Sequence, residues 1–373
     1  MELNLDKEQF LARFWQQKPL LMQQAIANFI PPVSRHQLAG LALEDEVESR
    51  IIEHVTGNWL LAHGPFSNAD YKRGNPWTLL VQAVDHYLQN VADLRKLVDF
   101  IPQWRVDDVM VSYATDGGSV GPHYDNYDVF LLQGEGQRLW KIGQHCDDST
   151  PLLPHDDLRI LSQFDCESEC LLGPGDMLYI PPGVAHWGIA QGECTTFSIG
   201  FRAPRVNDMV SRFADALLTE MEPDLFYHDA RLEPATRAGE IRPRDLERVQ
   251  AQVQAALDQA DDQDWFGELV TEPRHVQVPD DDDLAQARAL LQTAGESLAL
   301  CTAAKLAWRQ DAQDIVVYAN GESRRFSTAQ LPTVMTLCGD WALGESALKD
   351  ALNNEESRAL LDYLLETGCV YVQ

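Results

Sequence analysis

Basic residues are scarce in this chain: 29 Lys and Arg stand against 58 Asp and Glu, a formal net charge of −29. A surface that negative repels nucleic-acid phosphates, so direct nucleic-acid binding is not expected. The same charge attracts basic partners by long-range steering, besides keeping a protein in solution. Long apolar runs are missing too. No stretch approaches the ~20 residues that a bilayer-spanning helix needs. The first residues, from Met1 to Asp6, lack the basic start and apolar core of a secretory signal. Cysteine is sparse and irregular, with seven residues and no C-x-x-C pair. That argues against a disulfide framework, and against a zinc site assembled from His145, Cys146, Cys166 and Cys170. The expectation is a cytoplasmic protein without membrane association.

What is present is enough for a sizeable core: 373 residues, 45% of them hydrophobic, dividing into two or three units. The first hundred residues mix helix and strand. The spacing of Phe10, Phe14 and Trp15 predicts a helix over 6–15, and 18–22 reads as a short strand. Ser34 caps a helix through Leu38, Leu41 and Leu43. Leu80, Val81, Val84 and Tyr87 predict a further helix over 77–88. From Trp104 the texture becomes short strands with turn punctuation: 106–113, 125–133, 137–142, 170–172, 177–180 and 194–201. Gly134-Glu135-Gly136, Gly173 to Asp176 and Pro182-Gly183 supply the turns. Such a series folds as a closed or sandwiched antiparallel barrel. After Pro204, helices are predicted over 207–218 and 243–260. The acidic run Asp280 to Asp283 opens another, because carboxylates favour a helix N-terminus. A last unit carries an Asn320-Gly321 hairpin signal and resembles a winged helix.

Chemistry concentrates in Gly121-Pro122-His123-Tyr124-Asp125. Positions two apart on a strand share a face, so His123 and Asp125 can reach one ion while Asp128 faces away. His186, after Pro181-Pro182-Gly183, is placed to supply a third ligand from a distant strand. Two imidazoles and one carboxylate leave half an octahedron open, the arrangement of non-haem iron(II) oxygenases. A His-x-Asp pair alone arises by chance; the flanking motifs give it weight.

The run Gly173 to Trp187 resembles the second metal-binding motif of the cupin superfamily, and with the His123 segment it resembles the JmjC branch of the 2-oxoglutarate oxygenases. Phe14-Trp15, Lys18 to Leu21, Val120 to His123, Tyr127 to Phe130 and Ser198 to Pro204 narrow this to the bacterial ribosomal oxygenases. Those are arginine hydroxylases of a large-subunit ribosomal protein, the sixteenth of that series. The resemblance implies an α+β chain with a double-stranded β-helix (the cupin/JmjC jelly roll), a helical dimerisation region and a small winged-helix-like domain. These would occupy 1–206 (barrel core about 104–204), 207–275 and 276–373. It implies Fe(II) on His123, Asp125 and His186, with 2-oxoglutarate as cosubstrate giving succinate and CO2. Arg138 matches the family's partner for the far carboxylate, with Lys141 as runner-up and Ser112 adding a hydroxyl. A guanidinium suits that task because its fork binds a carboxylate in bidentate fashion and stays charged. Asp116, which also reads as a turn residue before Gly117-Gly118, is the candidate for the target guanidinium. The acid surface then suits a basic ribosomal protein, and the helical region suits a homodimer.

Four alternatives stand beside this reading. Histidine-directed ribosomal oxygenases share the layout but tend to carry lysine as the anchor, so Arg138 points to arginine. Histone demethylases of the superfamily typically use Glu where Asp125 stands. Other cupin metalloenzymes show a His-x-His pair, and a barrel that has lost its metal would not retain all three ligands.

Overall fold

All eight residues of the run Cys194–Phe201 are buried. A strand with that pattern needs cover on both faces. The computed structural model describes residues 1–221, 225–234, 237–258, 264–274, 279–291 and 295–373. In it, residues 1–203 group with 301–303 as one compact unit, and 204–300 with 304–373 as a second.

The first unit contains β1 (Leu20–Met22), β2 (Ser49–Val55), β3 (Asn58–His63), β4 (Trp77–Val81), β5 (Val106–Ala114), β6 (Val129–Gln133), β7 (Gln137–His145), β8 (Cys166–Leu172), β9 (Met177–Ile180), β10 (Val184–Gln191) and β11 (Cys194–Phe201). They form an eight-stranded sheet, β1-β9-β6-β11-β5-β4-β2-β3, and a three-stranded sheet, β10-β7-β8. This is the expected double-stranded β-helix. Strand alternation sorts its residues between two cores. Val129, Leu131, Leu178 and Ile180 from the large sheet meet Trp140 and Leu172 from the small one inside the barrel. Phe130, Leu132, Phe197, Ile199 and Tyr179 point outward into the larger cluster that includes Phe10. Phe10 lies on α1 (Lys7–Arg13), which Asp6 caps, and its ring is 4.8 Å from Tyr179 and 5.4 Å from Phe130. Ser34 and Gln37 form the capping box of α2 (Arg35–Leu41), which ends short of Leu43.

The helix expected over 77–88 is instead β4 followed by the single turns α3 (Val84–Tyr87) and α4 (Gln89–Ala92). β4 sits between β2 and β5 and is buried along its whole length, and a short apolar run of that kind has no diagnostic period. The strand expected over 125–133 begins only at Val129, and Asp125 precedes it in irregular backbone. The hairpin of β2 and β3, turned at Thr56-Gly57 with positive φ at both residues, was not foreseen; β10 is the strand expected to carry His186, for which no range was predicted.

In the second unit, α5 (Val206–Glu220) and α6 (Pro243–Leu257) stand where helices were expected; the predicted end at 260 lies outside the described residues. α7 (Asp264–Thr271) follows, then α8 (Asp281–Leu290), where Asp280 accepts the Asp283 N–H as the acidic run implied. β12 (Leu298–Leu300) pairs with β17 (Val370–Val372) and β16 (Ala342–Leu343). β13 (Leu306–Asp311), β14 (Asp314–Ala319) and β15 (Glu322–Ser327) form a meander whose Asn320-Gly321 turn has φ of +49° and +89°. That is the left-handed pair a two-residue hairpin requires. With α9 (Leu331–Asp340), α10 (Glu345–Leu352) and α11 (Glu355–Glu366) they make the expected winged-helix layout. Among the described residues no helix is long and apolar enough to cross a membrane.

Candidate metal centre

His123 and His186 meet across an isolated antiparallel bridge, exchanging main-chain bonds of 3.1 and 2.8 Å. Each ring is oriented by its own backbone: Nδ1 of His123 is 2.9 Å from Gly121 O, and Nδ1 of His186 is 3.0 Å from Val184 O. A carbonyl only accepts, so both Nδ1 atoms carry the proton and both Nε2 lone pairs are left for a ligand. Gly121 is itself tightly enclosed. It sits at φ +84°, and a Cβ there would lie 3.1 Å from the Trp59 ring and 3.2 Å from Ile160.

Asp125 completes the set, its Oδ2 3.6 Å from His186 Nε2. That is too long for a hydrogen bond and close to the about 3 Å between neighbouring ligands of an ion bound at about 2.1 Å. The three donor atoms lie within 4.8 Å of one another, and no other such group of His, Cys, Asp or Glu occurs among the described residues. Burial, and then the neighbouring His123, pull the His186 imidazole down to about 4, with Asp125 opposing. The ring is therefore neutral at physiological pH, the state that coordinates a metal. Asp125 in turn pushes the Tyr127 phenol far above its usual range. A hard carboxylate with two borderline imidazoles suits Fe(II) and leaves exchangeable positions.

Arg138 lies on the inner face of the same small sheet. The β7–β10 register pairs His186 with Ile142, Gly188 with Trp140 and Ala190 with Arg138, so His186 and Arg138 share one face four residues apart. Arg138 is only 4% exposed, yet its Nε and Nη2 have no hydrogen-bond partner among the described residues. A buried guanidinium without an acceptor is costly. An anion supplied from outside would satisfy it, so the residues present fit a dicarboxylate chelated at the metal.

The other expected residues divide. Ser112 is buried on the inner face: one pair along, Ala114 and Cys194 pack with Ala190, the partner of Arg138. Its Oγ lies 3.5 Å from Thr196 O. Lys141 alternates to the outside, where it pairs with Glu169 at 3.0 Å. Asp116 is exposed and accepts the Gly192 N–H at 2.8 Å, which ties together two turns at one end of the barrel. Asp128 faces away from the triad, as expected, though the backbone from Asp125 to Asp128 is irregular rather than the strand the expectation assumed. It is fully buried, accepting from Tyr179 at 2.6 Å, Gln16 at 3.0 Å and Arg105 at 3.3 Å. These bonds hold α1's end against the barrel, while burial pushes the carboxyl above its usual range.

Two supports of the site escaped sequence reasoning. Ser119 accepts the Trp187 indole N–H at 2.8 Å and the Gly121 N–H at 3.0 Å, joining the residue beside His186 to the turn before His123. Trp140, buried between His186 and Arg138, was read only as a strand residue. The Ser119 link depends on residues 68 apart, which no local pattern reveals.

Comparison with known proteins follows the same division. A JmjC domain model matches residues 93–209, and a ROXA-like winged-helix model matches 254–371. The chain is 35% identical to the ribosomal protein uL16 3-hydroxylase of Escherichia coli, covering 98% of both chains. It is 31% identical to a probable ribosomal oxygenase of Haemophilus influenzae, over 99% of this chain and 95% of that one. The X-ray structure of E. coli ycfD superposes with a TM-score of 0.85 at 35% identity, covering both chains fully. The same ribosomal oxygenase in complex with cobalt and 2-oxoglutarate superposes at 0.83, with 33% identity over 100% of this chain and 99% of that one.

Proposed function

As this chain belongs to the JmjC-type ribosomal oxygenases and is an Fe(II)- and 2-oxoglutarate-dependent dioxygenase, we propose that it hydroxylates an arginine side chain of ribosomal protein uL16. The observation that carries the reading is the meeting of three metal-donor atoms with a buried guanidinium, two of whose nitrogens have no hydrogen-bond partner among the described residues, on one inner face of the barrel. When bound, the iron and 2-oxoglutarate couple reduction of dioxygen and decarboxylation to succinate and CO2 with conversion of a target C–H to C–OH. His123, Asp125 and His186 would hold the ion on one side and leave the opposite positions free. Arg138 would fix the far carboxylate of the cosubstrate by a bidentate, charge-assisted pair, with the Ser112 hydroxyl beside it. The apolar wall of Leu131, Leu172, Leu178 and Ile180 keeps that part of the barrel dry.

Three features support a basic target. The chain carries a net charge of −29, which steers a cationic ribosomal protein toward it. The E. coli relative is named for action on uL16. Asp116 presents an exposed carboxylate that we assign to the incoming guanidinium in addition to its turn. For the second unit we propose a dimerisation region over 207–275 and a winged-helix-like domain over 276–373, the boundary itself lying outside the described residues. Val206, Val210 and Leu218 on α5 and Leu246, Val249 and Val253 on α6 are exposed apolar side chains of the kind a second copy covers.

The test is to incubate the protein with Fe(II), ascorbate, 2-oxoglutarate and peptides spanning uL16, then locate any added oxygen by fragmentation mass spectrometry. One oxygen on an arginine is expected. An oxygen found only on a histidine, or none while 2-oxoglutarate is bound, would overturn the arginine assignment.

A further inference from the structure

Between the metal ligands and Arg138, the wall of the barrel is an indole whose polar atom is unspent. Ile142, Trp140 and Arg138 follow one another on the inner face of β7, opposite His186, Gly188 and Ala190 of β10. Same-face neighbours on a strand stand about 7 Å apart, so Trp140 is the residue any molecule must pass that touches both the ion and the guanidinium. Its ring centre is 5.9 Å from the His186 ring and 5.8 Å from the guanidinium carbon of Arg138. Gly188 is what lets the indole lie there. A Cβ at 188 would stand 2.8 and 2.9 Å from the Trp140 carbons Cη2 and Cζ3, and 3.1 Å from Arg138 Cδ. Any larger residue would push the ring and the arginine stem off the strand.

Trp140 is 4% exposed, and its Nε1 has no hydrogen-bond partner among the described residues. Buried indole N–H groups ordinarily find an acceptor. With Arg138 Nε and Nη2, this makes three buried unspent donors side by side on β7. Donors grouped without acceptors suit a ligand rich in carboxylate oxygens.

Building on the cosubstrate reading above, we infer that Trp140, laid across Gly188, is the floor of the 2-oxoglutarate pocket and donates its indole N–H to the bound dicarboxylate. Trp140 is then a binding residue for the cosubstrate and Gly188 a positioning residue that acts through it. Trp140→Phe keeps the aromatic floor and removes the donor. Gly188→Ala keeps the donor and displaces the floor.

The experiment is anaerobic calorimetric titration of Mn(II)-loaded full-length protein with 2-oxoglutarate, preceded in each variant by Mn(II) titration and thermal unfolding. Trp140→Phe is expected to weaken 2-oxoglutarate by about tenfold, as the loss of a hydrogen bond to a charged group does. Gly188→Ala is expected to weaken it by at least as much. Mn(II) affinity should match wild type in both, which a general loosening of the barrel would not allow. Wild-type 2-oxoglutarate affinity in Trp140→Phe, or in Gly188→Ala, would overturn the inference. Failure of the Mn(II)-loaded wild type to bind 2-oxoglutarate would overturn the cosubstrate reading on which it rests.

Discussion

His123→Ala is expected to abolish hydroxylation while the barrel stays folded. The bridge between residues 123 and 186 is made by main-chain atoms, with bonds of 3.1 and 2.8 Å that an alanine can also make. The imidazole is the only part lost. It is half-buried and, among the described residues, its one hydrogen bond is to Gly121 O, so little folding energy goes with it. For the chemistry the loss is severe. Disturbing an outer partner of a metal ligand typically costs about 10–100-fold in metal affinity or activity. Removing the ligand itself should exceed that, leaving product below detection. Mass spectrometry of the uL16 peptide reports turnover, and thermal unfolding within a few degrees of wild type reports the fold. A folded His123→Ala protein that still turns over at saturating iron and cosubstrate would place the metal elsewhere.

Arg138→Ala should separate cosubstrate binding from stability. Truncating one member of a buried charge pair typically costs about 2–5 kcal/mol. A loss of about 3 kcal/mol raises the KM for 2-oxoglutarate by about a hundredfold. Arg138→Lys should fall between, since it keeps the charge and loses the fork. In the ligand-free protein the sign reverses. Among the described residues Arg138 Nε and Nη2 have no hydrogen-bond partner and only the Trp140 ring stands beside the guanidinium, so Arg138→Met removes a poorly compensated buried charge and should hold or raise the melting temperature. Added 2-oxoglutarate should stabilise wild type and not the Met variant. A residue that served only the fold would lose stability in both conditions.

Much of the site was legible in the sequence because turn chemistry surrounds it. Gly121-Pro122 before His123 and Pro181-Pro182-Gly183 before His186 mark where backbone stops pairing, and such places aim side chains inward. That Asp128 faces away from Asp125 was anticipated too, but strand alternation is not the reason, because 125–128 is irregular backbone. What could not be read was register. Trp140 becomes a pocket wall only because β7 pairs it with Gly188, and Ser119 becomes a latch only because Trp187 arrives beside it. Asp128's direction was expected, but its partners Gln16 and Tyr179 lie 112 and 51 residues away. The misread segment over 77–88 has a different cause. β4 is covered on both faces, and tertiary burial there removes the period that would distinguish strand from helix. In the second unit the signals were local, an acidic N-cap at Asp280 and an Asn320-Gly321 turn, and both elements stand where those signals put them.

The central claim is that His123, Asp125 and His186 hold iron(II) and that Arg138 retains 2-oxoglutarate upon it. Anaerobic absorption spectroscopy tests this before any substrate is involved, through the visible charge-transfer band that a 2-oxo acid gives on chelating iron(II). Wild-type protein is predicted to develop that band with one equivalent of iron(II) and saturating 2-oxoglutarate. Arg138→Ala should need far more 2-oxoglutarate to reach it, and His186→Ala should not develop it at all. An undiminished band in folded His186→Ala, or none in the wild type, would contradict the account.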